Sequence, residues 1–369
     1  MFLGIVTAML GTLHGYVWFR VVHSAELGPV AVVAATIPLV LGAAAIAATL
    51  YARITRRPAS PIRSTAAYVW LGLVFLAFTV SLATEPVRWA LSTAGIAAGG
   101  ALSLATVGAV GLLAGYGAHR GRNPVITRTT VPVRGLAPGL TGFRIVQISD
   151  LHVGDTISRP FVQRVVDAVN AQQPDLIALT GDLVDGTVDE LADGVAPLAG
   201  LRARHGTFFV TGNHEYYAGA EAWIAHLTGL GLRVLRNARV RIDVGGHGFD
   251  LVGVDDLFGR MIPGHGFDLA QALAGRDPAV PAVLLSHQPV TVDAAADANV
   301  AVQLSGHTHG GQIFPFHGLV RTQQPYLAGL VVHRGTALYV HRGTGYWGPP
   351  FRIGAPSEIA VLELVPAEP

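Results

Sequence analysis

Leu304-Ser305-Gly306-His307-Thr308-His309-Gly310 sets two imidazoles one residue apart, flanked by glycines, at the end of the apolar run Ala301–Leu304. Moving back towards the N-terminus, the same pattern recurs four times. Leu284-Leu285-Ser286-His287-Gln288-Pro289, Val210-Thr211-Gly212-Asn213-His214-Glu215, Leu179-Thr180-Gly181-Asp182 and Ile148-Ser149-Asp150-Leu151-His152 each place a carboxylate, imidazole or amide just after apolar residues. Taken singly, each is ordinary. Gly181-Asp182 alone is a turn, and His287 alone is a hydrogen-bonded core imidazole. Their joint occurrence, in order and each at the end of an apolar run, points to a common site.

The apolar runs Phe143–Ile148, Leu176–Thr180, Thr207–Val210, Leu251–Val254, Ala282–Leu285, Ala301–Leu304 and Ala337–Val340 read as short buried strands. Phe161–Asn170, with Ser158 as N-cap, Val188–Leu198 and Ala220–Leu227 read as helices. Strands alternating with helices predict an α/β fold, in which ligands bind in the crevice beyond the strand carboxyl ends. The five clusters then converge. They supply carboxylate, imidazole and amide oxygen without sulfur, a donor set suited to Mn, Fe or Zn. On an extended segment alternate side chains project the same way, so Asp150 with His152, and His307 with His309, are each expected to grip one ion.

Composition excludes several chemistries. Of 369 residues 49 are charged, or 13%, about half of what a soluble domain usually carries. Hydrophobic residues reach 51%, which excludes a disordered chain. Without Cys there is no disulfide scaffold, thiol catalysis or Cys-ligated metal. All 25 basic side chains are Arg, so lysine Schiff-base and P-loop mechanisms are excluded too. A net charge of +1 gives no electrostatic footprint for nucleic acid, and none is expected as a partner.

Charge is scarcest in the first third. Residues 1–119 hold eight charged side chains: Arg20, Glu26, Arg53, Arg56, Arg57, Arg63, Glu85 and Arg88. Between them lie four apolar runs, Phe2–Phe19, Pro29–Tyr51, Ala66–Thr84 and Trp89–Ala118. Each is near or above the ~18–20 residues a helix needs to cross a bilayer. Tyr16, Trp18, Tyr51, Trp70, Trp89 and Tyr116 sit near run ends, as interfacial aromatics do. The expectation is a transmembrane domain of four helices over 1–119, a Pro- and Gly-punctuated linker over 120–142 and a globular domain over 143–369. Such a chain is a multi-pass protein of the cell membrane, with the lipid bilayer as partner. Arg53, Arg56, Arg57 and Arg63 in one loop, and Arg120, Arg122, Arg128 and Arg134 after the last run, place the globular domain on the cytoplasmic side.

Asp150-x-His152, Gly181-Asp182, Gly212-Asn213-His214-Glu215, His287 and Gly306-His307-x-His309 together resemble the full signature of calcineurin-like metallophosphoesterases, over essentially all of 143–369. The tail, Arg342-Gly343-Thr344-Gly345 with Gly348-Pro349-Pro350-Phe351-Arg352 and Pro356-Ser357-Glu358-Ile359, is similar to membrane-attached bacterial members of that family and to transmembrane proteins with a metallophosphoesterase domain. The resemblance implies a four-layer α/β/β/α sandwich holding two divalent metal ions (Mn, Fe or Zn, with Mn favoured). It implies Asp150, His152 and His309 on one ion, Asn213, His287 and His307 on the other, and Asp182 bridging. It further implies a metal-activated hydroxide attacking phosphorus, with His214 contacting the phosphate and protonating the leaving oxygen. Glu215 would orient His214 or Asn213. Asp155, Asp185, Asp255 and Asp256 read equally as turn carboxylates. Asn237 and Arg342 read first as loop residues, with a contact to substrate phosphate as the second reading.

A catalytic head tethered to a bilayer gains effective concentration toward substrates that live there. The expected reaction is therefore hydrolysis of a phosphodiester or pyrophosphate bond in a lipid or lipid-linked substrate. A non-catalytic membrane scaffold built on a phosphoesterase fold is the alternative; it predicts missing ligands, and none is missing. A transporter would need ionisable groups inside the spans, where only His14 stands. The sequence leaves the oligomeric state open.

Overall fold

A computed structural model describes residues 2–55 and 60–367. They divide into two units, Met1–His119 with Gly348–Ile353, and Arg120–Trp347 with Gly354–Pro369.

The charge-poor first unit folds as helices α1 (Phe2–Val17), α2 (Pro29–Ile54), α3 (Pro61–Ala83), α4 (Glu85–Thr93) and α5 (Gly99–Arg122). Pro29 and Pro61 open their helices, where the missing N–H has no intrahelical partner to lose. Among the described residues three helices, α2, α3 and α5, are long and apolar enough to cross a membrane. The expectation of four is corrected at both ends. Helix α1 has 16 residues, a rise of about 24 Å against a hydrocarbon core of about 30 Å, and passes into a π-helical turn, Trp18–Val22. The run Trp89–Ala118 is not one helix: α4 stops at Thr93, Gly95 takes a φ of 73°, and α5 begins at Gly99. Arg56 and Arg57, two of the arginines used for sidedness, lie outside the described residues. Arg20 and Glu85 form an ion pair. The Glu85 carboxylate accepts from Tyr16 Oη and from Arg20 Nη2, both at 2.6 Å. His14 has both ring nitrogens engaged, by Leu10 O at 2.8 Å and Trp70 Nε1 at 3.1 Å.

The second unit begins with β1 (Val125–Val133), β2 (Arg144–Ile148), α6 (Arg159–Asn170), β3 (Leu176–Leu179), α7 (Val188–Val195), β4 (Thr207–Phe209), α8 (Asn213–Ala218), α9 (Ala220–Gly229) and β5 (Arg233–Val234). It continues with β6 (Ala238–Val244), β7 (His247–Gly253), α10 (Leu269–Leu273), β8 (Ala282–Leu285), α11 (Val292–Asp297), β9 (Val302–Ser305), α12 (His317–Val320), β10 (Gly329–His333), β11 (Thr336–Val340) and β12 (Glu358–Pro366). One six-stranded sheet runs β1-β12-β2-β3-β4-β5 and the other β10-β11-β9-β8-β7-β6. Strands β2 to β5 are parallel, as are β7, β8, β9 and β11.

Strand periodicity builds the layers. Ile145, Leu176, Ala178 and Phe208 face inward and meet Leu251, Val283, Leu285 and Val302 of the other sheet. Val146, Ile177, Leu179 and Phe209 face outward onto Val162, Val165 and Val166 of α6 and Trp223 of α9. On the far side Val252 and Leu284 pack against Leu269 and Ala272 of α10 and Ala295 of α11. The order is helix, sheet, sheet, helix, the four-layer α/β/β/α sandwich.

Part of the stretch expected as a linker is a strand. All nine residues of β1 pair in parallel with β12, from Val125 opposite Glu358 to Val133 opposite Pro366. Only Val131 and Val133 of β1 are buried, so no hydrophobic period announces it, and Pro132 is tolerated because β1 is an edge strand.

Candidate metal centre

Each expected cluster leaves the end of a strand. Asp150 and His152 follow β2, Asp182 follows β3, and Asn213 and His214 open α8 after β4; His287 follows β8, and His307 and His309 follow β9. Loop-to-loop bonds join the ends: Asp150 N donates to Gly181 O at 3.0 Å, His152 N to Asp182 O at 3.2 Å and Gly306 N to His287 O at 2.9 Å. The carboxylates tie in further strands, Asp182 Oδ1 accepting from His214 N at 2.8 Å and Asp150 Oδ1 from His307 N at 3.0 Å. Five of these residues lie in the left-handed backbone region: Asp150 (φ 53°), His152 (52°), Asp182 (54°), His307 (70°) and His309 (51°). Such a backbone costs about 1–3 kcal/mol per non-glycine residue, and its clustering is characteristic of functional sites.

The side chains form two adjacent groups. Donor atoms of Asp150, His152 and His309 lie within 4.8 Å of one another, and so do those of Asp182, His287 and His307. His307 and His309 thus part company, correcting the expectation that they grip one ion together. The expectation took both segments to be extended; all four residues are left-handed, so residue alternation decides neither pair. Asp150 and His152 stay together.

Hydrogen bonds fix which nitrogens are left to bind. His287 Nδ1 donates to Thr180 O at 2.7 Å, which turns Nε2 towards Asp182 Oδ2 at 3.1 Å and His307 Nδ1 at 3.2 Å. His152 Nδ1 stands 2.7 Å from Asp185 Oδ1, which leaves Nε2 facing His309 Nε2 at 3.0 Å. The amide oxygen of Asn213 is buried without a hydrogen-bond partner. The Asn213 oxygen has no protein partner, and imidazole nitrogens face one another in the pairs His152–His309 and His287–His307. Divalent cations that favour nitrogen and oxygen fit them.

Asp185 is the participant that sequence reasoning missed, having grouped it with turn carboxylates. Its Oδ1 lies 2.7 Å from both His152 Nδ1 and His214 Nδ1, so it orients two imidazoles at once. The available signal was the repeat of apolar Val153 and Val184 beyond the two acidic clusters: these residues bridge in parallel and bring Asp185 alongside the β2 loop. Glu215 acts on backbone rather than on a ligand side chain, accepting from the N–H groups of Asp182 (3.0 Å), Leu183 (2.7 Å) and Gly212 (2.7 Å). Gly212 must be glycine, since a Cβ there would lie 2.6 Å from Asp182 N and collide with Asp182 Oδ1. Four other candidates have protein partners. Asp255 pairs with Arg236 at 2.9 Å, Asp256 accepts from Gln288 at 2.9 Å, Asn237 donates to Gly266 O at 2.7 Å, and Arg342 pairs with Glu358 at 2.9 Å.

Protein charges alone polarise the site. Burial would raise Asp182, yet His287, His214 and His152 hold its carboxyl well below the usual range. Burial would lower His214, but the charge of Asp182 and the hydrogen bond to Asp185 lift it to about 9. His287 is raised well above its ordinary value, again against burial and chiefly by Asp182. Burial, helped by cationic His287, brings His307 down to about 4. A raised His287 has to shed its proton before Nε2 can bind a cation. Cation affinity is therefore expected to rise with pH up to that raised value, by about tenfold per unit for each proton released. Mn²⁺ titrations at pH 6 and pH 8 read this directly, and equal affinity at both would contradict it.

Comparison with known proteins follows the same residues. The family model for calcineurin-like phosphoesterase matches residues 143–311. A transmembrane protein with metallophosphoesterase domain from Bos taurus is 42% identical over 253 residues, covering 65% of this chain and 57% of that one. An uncharacterized metallophosphoesterase of Helicobacter pylori is 42% identical over 225 residues, 60% of each chain. The chain thus spans 57% and 60% of the length of these two relatives. The uncharacterized metallophosphoesterase YkuE of Bacillus subtilis is 33% identical over 261 residues, which cover 68% of this chain and 90% of that one. A relative of that identity, matched over nearly its whole length, shows that the chain belongs to the calcineurin-like metallophosphoesterase family.

Proposed function

We propose that the chain is a membrane-anchored phosphoesterase that uses two divalent ions, with Mn favoured, to hydrolyse phosphodiester or pyrophosphate bonds of a lipid or lipid-linked substrate. The observation that carries the reading is the pair of three-residue donor groups, with Asp182 of the second 3.9 Å from His152 of the first, together with the orphaned Asn213 oxygen. Asp150, His152 and His309 would hold one ion, Asn213, His287 and His307 the other, and Asp182 both. When bound, such a pair supplies charge at the phosphoryl oxygens and an acidified water. His214 then needs only to move a proton. Asp185 holds its Nδ1, which leaves Nε2 to reach the departing oxygen, and the Asp185 carboxylate favours the protonated ring.

The three long apolar helices support anchorage, and tethering favours substrates of the bilayer. The arginine pattern supports a cytoplasmic head. A phosphatase reporter that is active only outside the cytoplasm, fused to the C-terminus, should be silent; an active fusion would reverse the sidedness. The hydrolytic reading is tested with the purified full chain, Mn²⁺, bis-p-nitrophenyl phosphate and UDP-acylsugars. Turnover of the first marks a diesterase and of the second a pyrophosphatase. A metal-loaded protein that turns over neither would sink the reading.

A further inference from the structure

Two half-exposed aromatic rings stand edge-on to the His214 imidazole. Tyr217 lies three residues on along α8, on the same helix face, with ring centroids 5.2 Å apart and planes at 64°. Trp347 reaches the same imidazole from the loop after β11, at 5.8 Å and 78°. Tyr217 is 61% exposed and Trp347 51%. Single exposed aromatics are commonplace on protein surfaces; two from separate segments, converging on one functional side chain, are not explained by that. Both are held in place. Phe258 packs edge-on against Tyr217 at 4.7 Å. The Gln312 side-chain amide clamps the Trp347 backbone, donating to its carbonyl at 2.9 Å and accepting from its N–H at 3.0 Å.

We propose that Trp347 and Tyr217 form a subsite for an apolar group carried on the departing oxygen of the substrate. The inference rests on the proposed proton-delivering role of His214. With Nδ1 held by Asp185, Nε2 is left to meet the departing oxygen, so a group on that oxygen would lie beside an imidazole that both rings flank. A second phosphate, charged and strongly hydrated, gains little from ring surface, whereas an alkyl or aryl group loses water against it. The two residues determine specificity; neither touches the reacting atoms.

Titration of the Mn²⁺-loaded full chain with ethyl, butyl and hexyl phosphate, and with glycerol phosphate as the polar control, tests this. Affinity should rise about twofold per methylene, as half-burying each CH₂ would give, so hexyl phosphate should bind on the order of tenfold more tightly than ethyl phosphate. Trp347→Ala should flatten this series while leaving metal content and glycerol phosphate binding unchanged, Tyr217→Ala should flatten it too, and Trp347→Phe should restore most of the slope. Ethyl phosphate binding without a chain-length slope, or a slope that survives both alanine variants, overturns the subsite and leaves the phosphoesterase reading intact. If no phosphate ester binds the metal-loaded chain, the phosphoesterase reading fails and the subsite with it.

Discussion

Replacement of Asp182 by Asn is expected to remove bound metal and turnover together. Asp182 is buried in the second donor group and comes near the first, its Oδ2 3.1 Å from His287 Nε2 and 3.9 Å from His152 Nε2. No other described carboxylate is placed to serve both groups. Asn keeps the shape and can still accept the His214 N–H through its amide oxygen, so the fold should survive and thermal denaturation should show it. What is lost is a negative charge at the place where two cations would meet. We expect fewer than two ions per chain by elemental analysis. The fall in kcat/KM on bis-p-nitrophenyl phosphate should be on the order of 10³-fold or more, about 4 kcal/mol of transition-state stabilisation. A variant that keeps both ions and stays within tenfold of the parent activity would remove the bridging role.

His214→Ala should separate the two losses. Metal content should stay at the parent level while turnover falls by about 10²- to 10⁴-fold, the range for a missing general acid. His214 belongs with His152 and Asp185 to a third cluster whose geometry could in principle hold an ion. There, however, both imidazoles direct Nδ1 at a single carboxylate oxygen at 2.7 Å, which is hydrogen-bond rather than metal–ligand spacing. Asp185→Asn should accordingly mimic His214→Ala in milder form, about ten- to a hundredfold, because it loosens an orientation without removing the proton donor. Loss of an ion in His214→Ala as complete as in Asp182→Asn would instead make His214 a ligand.

How much of this could be read beforehand depended on whether the signal was local. The strand ends could be read because a short apolar run followed by polar residues is a local pattern, and all seven apolar runs read as strands became strands in the expected places. The division of the imidazoles could not be read from residue alternation, because the left-handed turns at His307 and His309 are set by contacts with other loops, such as Asp150 on the His307 N–H. Strand β1 escaped because its order comes from pairing with β12, more than 230 positions away (Val125 with Glu358). Two interruptions of the apolar helices escaped as well. Hydropathy does not register a π-helical turn after Val17 or a positive φ at Gly95. Asp185 was invisible for a related reason, since its two histidine partners lie 33 and 29 positions away and meet it only through paired loops.

The most direct measurement is anomalous diffraction from crystals of the full chain grown with Mn²⁺. The account predicts two peaks about 3.5–4 Å apart, one among Asp150, His152 and His309, the other among Asn213, His287 and His307, with the Asp182 carboxylate touching both. A single peak, or one seated between Asp185 and His214, would contradict it.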